Sequence, residues 1–174
     1  MKPQVVIIGF TSMQATRVVS RYRRFQDPGD GPWFKPRFLL NDAGGLEFLV
    51  SPVASPGDAV KLIANPALTG EVGRDDYWYS PAVFEHWLYP KSATYRLIAY
   101  TGHSARLGYF HHDRVFKGPV LSPDSESFEL LKRIFRDFVA AVRAEGMKAV
   151  VLMLPSRGDL NLYVEAQKAS YETL

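Results

Sequence analysis

Gly102-His103-Ser104-Ala105-Arg106 comes close to a nucleophile elbow, the Gly-x-Ser-x-Gly turn that lifts a serine hydroxyl off the end of a strand. Its last position holds Arg106, where close packing needs a small residue. The run before it, residues 97–100, has helical character, so Ser104 reads as a serine near a helix end. His111-His112-Asp113 has residue types that bind metals. Adjacent histidines point different ways on a regular element, and no His-x-x-x-His occurs, so these read as loop histidines. His86 and His103 carry no stronger signal. No metal and no cofactor is expected. Arg17, Arg21, Arg23 and Arg24 form a basic cluster of the kind that meets a phosphate or nucleic acid. No glycine-rich phosphate loop accompanies them. A solvated helix face with one or two ion pairs is the plainer reading, and no nucleic-acid partner is expected. Tyr77, Trp78, Tyr79 and Trp87 could stack on a sugar, although aromatics at this density also cover a core or lid. Arg157-Gly158-Asp159 follows Pro155 as a polar loop at a strand end, where Arg157 can reach a ligand.

The elements that position such residues start with Gln4-Val5-Val6-Ile7-Ile8-Gly9-Phe10. This apolar run predicts a strand buried on both faces. Gly9 ends it, and Thr11 or Ser12 caps a helix running to about residue 22. In open α/β sheets ligands bind where strands end, so residues 9–17 should line any site. Residues 26–36, with three prolines and two glycines, read as loop. Residues 37–41 and 46–50 predict a hairpin around Asp42-Ala43-Gly44-Gly45. Residues 55–65 predict a helix capped by Ser55. Helical segments follow near 75–79 and 81–88, then a helix over 92–107 and a loop over 109–121. Ser122-Pro123-Asp124 opens a helix with Phe128, Leu131, Phe135, Phe138 and Val142 at steps of three and four. Gly146 should stop it. A second apolar strand spans 147–154, and a final helix spans 160–174.

Helix, glycine, buried strand, loop and helix make half of a doubly wound α/β fold. The 174 residues are 47% apolar and 13% aromatic, enough for a real core. They read as a single domain over 1–174, with 24–121 as an insertion between the strands. The absence of cysteine excludes disulfides and cysteine nucleophiles. No apolar run reaches about 18 residues, so no membrane span is expected. The start lacks a signal-peptide cleavage region. The cellular compartment stays open.

Val5-Val6-Ile7-Ile8-Gly9-Phe10, Arg17 and Ser20-Arg21-Tyr22-Arg23 together resemble a bacterial branch of the SGNH (GDSL-type) hydrolases. So do Lys35-Pro36-Arg37-Phe38 before the hairpin and Pro52, Val150-Val151-Leu152-Met153-Leu154-Pro155, and the Tyr171 segment. The resemblance covers nearly the whole chain. It implies a flavodoxin-like three-layer parallel sheet and serine-dependent hydrolysis or transfer of an acyl ester, the partner being a small-molecule or carbohydrate ester. The family places its nucleophile in a Gly-Asp-Ser turn and its base in an Asp-x-x-His. Neither occurs here. Where the family has an oxyanion asparagine, the match is Gln14, which carries the same amide donor one methylene further out.

The resemblance thus implies an internal fragment of such an enzyme, running from its third strand to the helix after its fourth. Gln14 would be the catalytic residue present. Gly9, Phe10, Ser12, Arg17 and Arg157 would shape the substrate side. The isolated chain would lack turnover, because an amide donor alone cannot run acyl transfer. Both strands would expose apolar edges, so self-association is expected. The alternative is a non-catalytic binding or assembly module on the same scaffold.

Overall fold

The computed structural model describes residues 3–27, 31, 33–89, 91–107, 115–118 and 120–174. In chain order its elements are β1 (Val5–Phe10), α1 (Met13–Arg17), α2 (Arg23–Gln26), β2 (Arg37–Leu40), β3 (Leu46–Leu49), α3 (Pro56–Ala64), α4 (Pro66–Arg74), α5 (Pro81–Phe84), α6 (Ala93–Arg106), β4 (Phe116–Lys117), β5 (Val120–Leu121), α7 (Glu126–Ala144), β6 (Lys148–Met153) and α8 (Arg157–Ala166). This is a mixed α/β structure with a small parallel sheet and helices. The chain forms two compact units. Unit 1 takes Met1–Val18, Leu39–Glu47 and Asp113–Leu174; unit 2 takes Val19–Phe38 and Phe48–His112.

In unit 1, β1 and β6 pair in parallel, with Val5 opposite Lys148 and Phe10 opposite Met153. One face of the pair packs on α7. The Ser125 hydroxyl caps that helix by accepting from the Phe128 amide, and Glu126 and Glu129 complement its N-terminal dipole. Gly146, at φ 75°, ends it. Phe128, Leu130, Leu131 and Val142 are buried, and Phe10 meets Phe135 edge-on with ring centroids 5.4 Å apart. The opposite sheet face is open. Ile7 is 59% exposed, and Val5, Val150, Leu152 and Leu154 are exposed beside it. The expectation of a strand buried on both faces fails, because among the described residues only one helical layer covers the pair. The apolar run encodes a two-sided environment of which unit 1 supplies one side.

Three further expectations need correction in unit 1. The chain turns after α1, so the predicted helix from 12 to 22 is only five residues long. The last helix starts at Arg157 rather than 160 and ends at Gln167, whose left-handed φ of 54° breaks it. The segment beyond returns to β5: the Leu121 amide donates to the Ser170 carbonyl, and the Thr173 hydroxyl to the Leu121 carbonyl, both at 2.7 Å. Residues 116–121, predicted as loop, include the short β4–β5 hairpin.

Unit 2 is organised around Asp76. Its buried carboxylate accepts from the Arg21, Tyr22 and Trp78 amides and the Ser20 hydroxyl. Those bonds explain why no helix runs through Tyr22. They hold that backbone extended, and Tyr22 bridges Phe34 instead. The Asp76–Trp78 bond likewise makes a turn where a helix over 75–79 was expected. Arg21 is not a phosphate ligand. It is buried, paired with Asp75 at 2.9 Å and bonded to the Val50 carbonyl at 3.0 Å. Arg37, also buried, donates to the Asp75 carbonyl. The helix α4 was not expected at all. Asn65 caps it and Pro66 opens it, but Gly70 and Gly73 dilute the apolar pattern. Gly73 is required there: a Cβ would sit 2.4 Å from the Tyr79 ring. The aromatic group does not form a wall. Trp78 is buried in the core, and Tyr79 packs on Phe25 and Phe84. Trp87 is 64% exposed, with the Lys91 ammonium 5.6 Å from its ring centroid.

Candidate functional site at the ends of the parallel strands

The C-terminal ends of β1 and β6 carry α1 and α8, so the turns after the two strands stand side by side. Ser12 precedes α1 but makes no capping bond. Its hydroxyl instead donates to Asp159 Oδ2 at 2.7 Å. Asp159 sits in the first turn of α8, in a capping box with Ser156. The Ser156 amide and hydroxyl both reach Oδ2 at 2.7 Å, and the Asp159 amide returns a bond to the Ser156 hydroxyl. Ser170 donates to Oδ1. Three serine hydroxyls thus converge on one buried carboxylate.

Burial pushes the Asp159 carboxyl up, but the hydroxyls of Ser170, Ser156 and Ser12 outweigh it and hold the group below the usual carboxylate range. Asp159 is therefore ionised at neutral pH. A carboxylate so fully hydrogen-bonded is a weak base, far from the near-neutral pKa that general-base work favours. No histidine occurs in the sequence stretches that make up unit 1. A serine–histidine–acid relay cannot be assembled within it. What the cluster does is clamp the two turns.

Around the clamp the expected site residues divide. Gln14 is exposed on α1, two residues beyond Ser12. Arg17 is half-buried on the same helix, and its Nε has no hydrogen-bond partner among the described residues. Arg157 is exposed at the first position of α8. Gly9 lies on the open sheet face, 3.4 Å from the Leu154 side chain at its missing Cβ. Phe10 does not join them. Its ring is buried against α7, which withdraws it from the rim. Asp159, Ser156 and Ser170 were missed as site residues. Ser156-x-x-Asp159 is a capping-box pattern visible in the sequence, and it would have placed the carboxylate in a helix instead of a polar loop.

The other constellations close off. Gly102, His103 and Ser104 lie inside α6, not in a strand-to-helix turn. His103 is buried and its Nε2 is 2.8 Å from the Phe25 carbonyl. His111, His112 and Asp113 lie outside the described residues. Among the described residues no three of His, Asp and Glu stand so as to hold a metal ion, and no helix is long and apolar enough to cross a membrane. No protein-family model matches the chain significantly, and neither a curated protein nor a solved structure does.

Proposed function

We propose that unit 1 is the sheet end of an SGNH-type acyl-ester hydrolase or acyltransferase, acting on an acylated carbohydrate and lacking its nucleophile and base within these 174 residues. The observation that carries the reading is the parallel pairing of β1 and β6 with Ser12, Gln14 and Arg157 gathered at their C-terminal ends. Ligands of open α/β sheets bind at that rim. In this reading β1 and β6 correspond to the third and fourth strands of a flavodoxin-like sheet. The exposed Gln14 amide is the oxyanion donor. Arg17 and Arg157 face the polar substrate, and Ser12, held by Asp159, fixes the turn that carries Gln14.

The second reading, a binding or assembly module, is favoured by Asp159. A carboxylate saturated by three serines is built for holding a turn, not for moving protons. Both readings deny turnover to this chain. Incubation of the purified chain with p-nitrophenyl acetate should release p-nitrophenol no faster than buffer, and a fluorophosphonate should label no serine. Release that the fluorophosphonate abolishes would overturn both.

A further inference from the structure

Unit 2 contains a cavity of about 410 Å3 lined by residues of α2 to α6. That volume lies in the range that holds a small organic molecule. Tyr22, Phe84 and Tyr89 give its wall three aromatic rings, beside the aliphatic Ile63 and Ala64. Phe84 and Tyr22 are buried, and the Tyr22 ring stacks on Phe34 with centroids 4.2 Å apart and meets Phe25 edge-on. Two cations line the same space, Arg24 from α2 and Arg96 from α6, and no carboxylate stands among its described lining residues. Arg96 Nη1 donates to the Tyr89 carbonyl at 3.0 Å, which anchors that guanidinium at the wall. The Arg24 guanidinium stands beside the Tyr22 hydroxyl. The Tyr100 hydroxyl is buried without a hydrogen-bond partner among the described residues, within electrostatic reach of Tyr89 and Arg24. Asp27, exposed at the end of α2, is the carboxylate that reaches this group. Burial pushes the Tyr22 hydroxyl up to about 12, so it stays protonated at neutral pH.

An apolar cavity lined by two guanidiniums favours a guest that brings negative charge, and a planar fork of N–H donors matches the oxygens of a carboxylate or phosphate. We propose that this cavity binds a small organic anion, a carboxylate or phosphate on a flat apolar body. Arg24 and Arg96 hold the anionic end, and the rings of Tyr22, Phe84 and Tyr89 hold the body. The site belongs to unit 2 and is independent of the rim in unit 1.

The test titrates phenyl phosphate and benzoate into the 174-residue chain by ligand-observed NMR, with neutral benzyl alcohol as control. At least one anion should bind at a single site, with benzyl alcohol about tenfold weaker or worse. Arg24→Gln and Arg96→Gln should each weaken the anion by about tenfold. Ala64→Trp, which fills the cavity from an exposed lining position, should block it. Ala64→Trp and the charge comparison on the unaltered chain decide the matter even where an arginine variant fails to fold. The proposal is overturned when neither anion binds at about 10 mM. It is equally overturned when benzyl alcohol binds as well as the anions, or when Ala64→Trp leaves their affinity intact.

Discussion

Asp159 in unit 1 and His103 in unit 2 are buried titratable groups whose surroundings predict a measurable pH response. Asp159 is held below its ordinary range, so the folded unit 1 favours the ionised form. Its contribution is complete above the unfolded value of about 3.9 and is lost as pH falls through the lower folded value. Asp159→Asn removes the charge that three hydroxyls and an amide address. It should cost about 1–3 kcal/mol at pH 7, and the difference from the unaltered chain should shrink toward pH 3. Ser12→Ala should cost about 1 kcal/mol and change nothing chemical. Denaturant melts at pH 7 and pH 3 read both. His103 moves down from its ordinary value, chiefly by burial and less by Arg106, against the pull of the Phe25 carbonyl. The folded unit 2 favours the neutral ring. Its stability should be full above about pH 6.5 and fall as pH drops through the folded value. Trp33, Trp78 and Trp87 all belong to unit 2, so tryptophan emission during urea melts at pH 7.5 and 5 follows this unit alone. A midpoint that does not move between those pH values would contradict the assignment.

The sheet of β1 and β6 has an apolar face that nothing covers among the described residues, and both strands are edges of a two-stranded sheet. Parallel pairs with both faces apolar belong inside structures. The isolated chain should therefore self-associate through this element. Ile7→Lys with Leu152→Lys places charge on the open face and should shift sedimentation toward monomer. A sharp monomer for the unaltered chain would remove the argument. At this scale the sequence spoke clearly where one signal had one meaning. Both strands, the hairpin, the Ser55 cap and the Gly146 stop were legible because caps, apolar runs and a left-handed glycine act locally. The predicted helix was carried too far, to residue 22, because Asp76, more than fifty residues along the chain, takes the Arg21 and Tyr22 amides that its last turn would use. The helix α4 was hidden because Gly73 answers to the Tyr79 ring rather than to helix propensity. The final helix was placed late because Ser156-x-x-Asp159 was taken for a loop.

For the molecule as a whole, the functional reading rests on where Gln14, Ser12 and Arg157 fall. Their position at adjacent strand ends could be anticipated from the apolar runs and their polar turns. The carboxylate that ties those turns together could not, because it depends on Ser12, Ser156 and Ser170 meeting in three dimensions. The central claim is that this rim recognises an ester on a sugar. Calorimetric titration with an O-acetylated xylo-oligosaccharide and its deacetylated twin tests it most directly. The account predicts binding of the acetylated form, at least about tenfold weaker binding of the twin, and loss of that preference in Gln14→Ala. Equal affinity for the two, or a preference that survives Gln14→Ala, would contradict it.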